Sequence, residues 1–121
     1  TTLFRSIMDT PGYDIESVSA MVAGGAQLCV FTTGRGSPIG NAIIPMIKIT
    51  GNEDTALNMQ DNIDIDLSGI LRGEMTIYEG GNYIYDRVIS TCEGELSKAE
   101  IHGFKEISIY RNNEVWCCNL Q

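Results

Sequence analysis

Basic residues are scarce in this chain. Eight Lys and Arg stand against sixteen Asp and Glu, giving a formal net charge of −8 and a pI near 4.4. Phosphate backbones and anionic membrane surfaces repel such a chain, so neither nucleic acid nor membrane is an expected partner. No apolar run approaches the ~20 residues of a membrane-spanning helix. Histidine occurs once, at His102, so no histidine cluster can form. Four cysteines are present, Cys29, Cys92, Cys117 and Cys118, but none stands in a CxxC or zinc-ligand spacing. Reduced thiols are expected in preference to a disulfide framework or a metal site. No secretory signal is legible, and the cytoplasm is the expected compartment. Internal repeats and low-complexity stretches are missing too.

What is there suffices for a core. At 121 residues with 43% hydrophobic content, the chain buries more than ~60% of the surface it exposes when unfolded. Residues 1–121 read as one domain. The chain opens on Thr1-Thr2 directly before an apolar stretch, and is expected to be a piece of a larger protein.

Leu3–Met8 predicts a short strand, closed by the turn Asp9-Thr10-Pro11-Gly12. Asp14 is the expected N-cap of a helix whose apolar positions are Ile15, Val18, Met21 and Val22, and Gly24-Gly25 ends it. Leu28–Phe31 is continuously apolar, the pattern of a strand covered on both faces. Thr32–Asn41 is a loop by composition. A strand is predicted over Met46–Thr50, because Pro45 has no N–H and fits only at a strand's first residue or edge. Asn52 caps a short helix from Glu53 to Met59. Asp61–Asp66 alternates polar and apolar residues, the period of a half-buried strand. Leu67–Gly73 fits no single period, and Met75–Tyr78 reads as a short strand or irregular segment. Gly80-Gly81 breaks the chain before a helical stripe of Ile84, Tyr85, Val88, Ile89 and Cys92, read as core packing and ending at Gly94. Glu106–Tyr110 predicts a strand, Asn112-Asn113 a turn, and Val115–Cys118 a last apolar segment. Strands alternating with helices, and sixteen isoleucines, predict a small three-layer α/β domain. Its mostly parallel sheet carries helices on both faces.

Three strands of that pattern end in polar, glycine-bearing turns: Asp9–Gly12, Thr32–Ser37 and Thr50–Asn52. Parallel strands would bring all three to the carboxyl edge of the sheet, where open α/β sheets bind ligands. The segment Thr32-Thr33-Gly34-Arg35-Gly36-Ser37 is the sharpest of them. Its glycines allow close backbone approach, and its hydroxyls and guanidinium are donors suited to a carboxylate or phosphate. The segment lacks the spacings of a P-loop and of a dinucleotide fingerprint. Its other reading is a surface loop with turn glycines and a solvated Arg35. We therefore assign substrate or anion binding to Thr32, Thr33, Gly34, Arg35, Gly36, Ser37 and Asn41. Asp9, Thr10, Lys48, Asn52, Asp64 and Asp66 are possible contributors at the edge. Lys48, amid apolar neighbours, is expected to pair with an acid. Asp61, Asp64 and Asp66 do not fit a calcium loop, since Leu67 stands where glycine is required. His102 reads as a surface or packing residue.

Five ordered blocks carry a resemblance. They are Met8-Asp9-Thr10-Pro11-Gly12-Tyr13-Asp14, Val22-Ala23-Gly24-Gly25, Phe31-Thr32-Thr33-Gly34-Arg35-Gly36-Ser37, Pro45-Met46-Ile47-Lys48-Ile49 and Asp61-Asn62-Ile63-Asp64-Ile65-Asp66. Together they resemble the carboxyl-terminal region of the altronate/galactarate dehydratase family, which includes the large subunit of (2R)-sulfolactate sulfo-lyase. The likeness covers residues 8 to 70 and fades after residue 75. It implies a lyase that dehydrates a sugar acid, or expels sulfite from sulfolactate, by removing the proton next to a carboxylate. A divalent metal, commonly iron, is implied for the full-length enzyme, with ligands in preceding segments and none in this fragment. A small hydroxy-carboxylate substrate and the preceding domains of the same chain are the implied partners, and a homo-oligomer is possible. The fragment alone is expected to be inactive. The reading from another class is a non-catalytic carboxylate-binding or assembly module.

Overall fold

A computed structural model describes residues 7–109 of the chain. Its elements are α1 (Asp14–Ala23), β1 (Cys29–Thr32), β2 (Met46–Thr50), α2 (Glu53–Asn58), β3 (Ile65–Asp66), α3 (Ser68–Leu71), α4 (Ile77–Cys92) and α5 (Lys98–Ile101). The three strands lie in the order β1-β2-β3, and both pairings are parallel. Phe31 stands opposite Lys48 in the first register, and Ile49 opposite Ile65 in the second.

Every residue of β2 is buried, because helices cover both sides of this central strand. Successive side chains point to opposite faces. On one face Met46 packs with Val18 of α1 and Ile39. On the other, Ile47, Ile49 and Ile65 pack with Ile84 and Val88 of α4. The domain is thus α/β, a parallel sheet between helices. Asn52 caps α2 as expected, its Oδ1 accepting from Asp54 N at 3.0 Å.

Several elements depart from the sequence reading. Strand β1 is shifted one residue from Leu28–Phe31, and only one face is covered. Cys29 and Phe31 pack toward α1, while Val30 and Thr32 are exposed. Tyr13, not Asp14, is the N-cap of α1. Asp14 opens the helix, where its charge suits the dipole, and it accepts from Ser37 Oγ at 3.1 Å. The alternation of Asp61–Asp66 yields only the two-residue β3, since Asn62 N and Ile63 N turn back to Met59 O. Leu67–Gly73 resolves into the short helix α3.

The largest departure is α4. Its first turn includes the segment read as strand or irregular, and Gly80-Gly81 does not break it. Thr76 starts the helix with a capping box, its Oγ1 accepting from Glu79 N at 3.2 Å while Glu79 Oε2 accepts from Thr76 N at 2.8 Å. These bonds hold the Glu79 carboxyl below the usual carboxylate range. Gly80 is buried against α3, where an added Cβ would meet Ile70 Cδ1 at 2.7 Å. Packing at that crossing therefore overrules the poor helix propensity of glycine. Of the stripe read as core, Val88 packs on the sheet, whereas Tyr85, Ile89 and Cys92 are exposed. Thr76→Ala should cost the domain about 1 kcal/mol through the lost cap, read as a lower midpoint in urea unfolding.

Residues 106–109 form no strand, because Glu106 and Ser108 bond to a loop and a helix instead of a ladder. Ile7 and Met8 are likewise outside any strand. The remainder of the expected Leu3–Met8 strand lies outside the described residues, as do Tyr110, Asn112-Asn113, Val115 and the Cys117-Cys118 pair. Cys29 and Cys92 are free thiols. Burial pushes the Cys29 thiol up, which keeps it protonated and unreactive. His102 is exposed beside Phe104, their ring centroids 5.8 Å apart. No helix among the described residues is long and apolar enough to cross a membrane.

Candidate functional site

Parallel pairing places the ends of β1, β2 and β3 on one edge of the sheet. An open cleft of about 740 Å³ lies there, inside the ~300–1,000 Å³ range of small-molecule sites. The end of β1 supplies Thr32, Thr33 and Gly34, and the end of β2 supplies Gly51 and Asn52. The turn after β3 and helix α3 add Leu67, Ser68 and Leu71, with Arg72 just beyond.

The first two turns are tied to each other. Gly34 O accepts from Asn52 Nδ2 at 2.9 Å and from Thr55 Oγ1 at 2.7 Å. Thr33 N donates to Ile49 O at 2.9 Å, continuing the ladder past β1. Thr33 Oγ1 accepts from Gly36 N at 3.0 Å and closes the loop on itself. Gly36 has φ +87, and an added Cβ would meet Met59 Sδ at 2.0 Å, so the residue is fixed by both conformation and space.

Of the residues assigned from sequence, Thr32, Thr33, Gly34 and Asn52 therefore meet at the cleft. Arg35 is exposed on the loop beside Gly34, and among the described residues it makes no ion pair. Ser37 is buried and turned to Asp14. Asn41 is buried away from the cleft, its Oδ1 accepting from Ile43 N at 2.9 Å and Ile44 N at 3.4 Å. Thr10 pairs with Ser17 at 2.8 Å, and Asp9 is exposed before α1. Asp66 ends β3 and accepts from Ser68 N at 2.8 Å.

Asp64 is not a solvated edge residue. Its side chain is fully buried, its Oδ2 accepts from Lys48 N and its Oδ1 from Lys98 N, each at 2.8 Å. Arg87 approaches Oδ1 at 3.5 Å. Lys48 also departs from expectation. Its side chain is buried mid-sheet, and among the described residues its Nζ has no hydrogen-bond partner, although its apolar setting predicts a paired acid.

Ser68 and Arg72 are cleft residues that the sequence reading did not pick. Arg72 Nη1 donates to Ser68 Oγ at 3.0 Å and faces Glu53 Oε1 at 2.9 Å, while Nε donates to Glu74 Oε2 at 2.9 Å. Hydrogen bonding to Glu74 pushes the Arg72 guanidinium further up. The signal for both was the third parallel strand, whose end must join the same edge as the other two. Among the described residues no three His, Cys, Asp or Glu converge as a metal site would require. These residues do not by themselves fit the implied divalent metal.

A three-stranded parallel sheet between helices, with an open cleft at its carboxyl edge, defines a small α/β domain. The sequence comparisons narrow that class. The family described as D-galactarate/Altronate dehydratase, C-terminal, matches residues 5–115. The chain belongs to that family. It is 36% identical over 104 residues to the (2R)-sulfolactate sulfo-lyase subunit beta of Chromohalobacter salexigens, covering 86% of this chain and 27% of the relative. It is 32% identical over 111 residues to the altronate dehydratase of Bacillus subtilis, covering 88% and 21%. It is 35% identical over 86 residues to the L-threo-forming galactarate dehydratase of Escherichia coli, covering 71% and 16%. The chain thus spans about a quarter or less of these relatives' length.

Proposed function

We infer that this domain forms one wall of the hydroxy-acid site of a larger lyase. The observation that carries the reading is the cleft at the carboxyl edge, where Thr32, Thr33, Gly34 and Asn52 from two parallel strands meet Ser68 and Arg72 from a third. The proposed reaction removes the proton next to the substrate carboxylate. The electrons of that C–H bond form an enolate, and a hydroxide then leaves from the neighbouring carbon, protonated to water. The enolate oxygens and the carboxylate need positive charge and donors. Arg35, which makes no ion pair among the described residues, supplies the charge in this reading, with the hydroxyls of Thr32 and Thr33 as donors. Arg72 is less suited, since Glu53 and Glu74 offset it. The divalent metal, iron by resemblance, belongs in this reading to the full-length enzyme, and no step above is routed through it.

The likeness to a sulfo-lyase subunit favours a second reading, in which the leaving group is sulfite. The test is turnover by the full-length lyase, supplied with iron(II), on altronate, galactarate and sulfolactate. Activity on none of them would remove the lyase reading. With an active substrate in hand, Arg35→Lys should keep the melting temperature. It should lose about tenfold to a hundredfold in kcat/KM, the worth of one charge-assisted hydrogen bond at ~1.5–3 kcal/mol. Unchanged kinetics would remove Arg35 from the site.

A further inference from the structure

Strand β2 carries a lysine where its neighbours are Met46, Ile47 and Ile49. Lys48 is 0% exposed, and among the described residues its Nζ has no hydrogen-bond partner. Burying an amine in this way is costly, and an apolar side chain would fill the same space at no such cost. The neighbouring acids are engaged elsewhere. Asp64 holds the backbone amides of Lys48 and Lys98, and Glu106 Oε2 accepts from Gly40 N at 3.0 Å. Their charges raise the amine's affinity for a proton through space, and the like charge of Lys98 on α5 lowers it. Burial is the largest influence and holds the Lys48 amine below the usual lysine range.

The ring of Phe104 lies over the amine. The Phe104 centroid lies 5.5 Å from Nζ. Phe104 begins the irregular segment 104–109, which is fastened by Glu106 to Gly40 and by Ser108 N to Ser19 Oγ at 3.1 Å. Phe104 is also a wall of a cavity of about 240 Å³, shared with Asn41, Ile44, Glu100 and Lys105. Phe104 therefore borders an unpartnered amine and a cavity at once. This site is separate from the edge cleft. Lys48 shares its face with Met46 and α1, whereas Ile49 of the cleft belongs to the α4 face.

We propose that Lys48 is the binding group of a second site, for a small monocarboxylate that enters from the 240 Å³ cavity when Phe104 moves off the amine. A carboxylate supplies the acceptor oxygens that Nζ lacks, together with the counter-charge that lets the amine take up a proton. Glu100 on the wall and Glu106 nearby disfavour a multiply charged anion such as phosphate. The volume suits an acid of a few carbons. This inference stands independently of the lyase reading.

The test is reductive alkylation of the full-length protein with glyoxylate and cyanoborohydride, read by peptide mass spectrometry. Nζ attacks the aldehyde carbon, water leaves, and hydride from the cyanoborohydride reduces the C=N bond to a carboxymethyl amine. Native Lys48 should react at least tenfold faster with glyoxylate than with formaldehyde, each rate taken relative to free Nα-acetyl-lysine in the same reaction, and added lactate should slow it. Phe104→Ala should raise the Lys48 rate about tenfold on the same scale. Gly40→Ala provides a second route, because its Cβ would meet Phe104 O at 2.5 Å and shift the same residue from the backbone side. Labelling of Lys48 only after unfolding would overturn the proposal. So would the absence of any glyoxylate preference, or indifference to lactate. None of these readouts depends on turnover, so they separate this site from the lyase reading.

Discussion

Asp64→Ala should lower the stability of this domain by about 3–5 kcal/mol, the cost of breaking a buried charge arrangement from one side. The side chain is fully buried and joins three elements. It accepts from Lys48 N on β2 and from Lys98 N at the start of α5, both at 2.8 Å, and it faces Arg87 of α4 at 3.5 Å. Alanine orphans two backbone N–H groups at ~1–3 kcal/mol each and removes a counter-charge from Arg87. Arg87 keeps Glu95 and the Leu96 carbonyl as partners, so its loss is partial. Domains of this size are stable by only ~5–15 kcal/mol, so the variant should sit close to unfolding at physiological temperature. Urea unfolding of the parent and the Ala and Asn variants checks this. Asn keeps one acceptor oxygen but turns an NH2 toward the other amide, so it should fall between them. A full-strength midpoint in Asp64→Ala would mean that the carboxylate is not structural.

The same residue shows where reading the sequence stops. Asp61–Asp66 has the alternation of a solvated strand face, and from the sequence Asp64 belongs with Asp61 and Asp66. What buries it is an amide 34 residues away, at the start of α5, and no local pattern contains that partner. Local chemistry fared better where it was decisive. Pro45 fixed the start of β2, and Asn52 fixed the cap of α2, because each effect acts within two or three residues. At Gly80 the local rule pointed the wrong way. Glycine usually breaks a helix, but here α4 runs on through Gly80, which packs so close to α3 that an added Cβ would displace Ile70 Cδ1. The cleft was half legible for a related reason. Parallel strands force the turns at Thr32–Gly34 and Asn52 to one edge whatever the side chains are. Ser37 and Asn41 then left that edge for partners of their own, Asp14 and the amides of Ile43 and Ile44. Ser68 and Arg72 arrived through β3, whose two residues were hidden in a longer alternation.

Lys48→Met should raise stability at neutral pH, by about 1–4 kcal/mol, as when other buried charges give way to apolar groups of similar volume. Methionine matches the length of the lysine stem and fills the space under Phe104 without an unpartnered amine. The dependence on pH identifies the cause. Burial lowers the folded-state pKa of Lys48 below its ordinary 10.5, against the opposing pull of Asp64 and Glu106. Between that lowered value and 10.5 the unfolded chain binds the proton and the folded chain does not. The parent therefore gains stability as pH rises through this window. The methionine variant has no proton to lose at this position. Its advantage should be widest below the window and should narrow as pH approaches 10.5. Lys98 adds a like charge that disfavours the charged form of Lys48, and its own amine is held by the carbonyls of Gln60 and Ile63. Urea midpoints of parent and variant from about pH 7 to about pH 10 decide the matter, since the window closes near the ordinary lysine value. A constant gap would assign the gain to packing alone, and a less stable variant would mean that the amine has a partner in the folded protein. A gain that narrows with pH would mark Lys48 as a residue kept against stability, as expected of a group retained for binding.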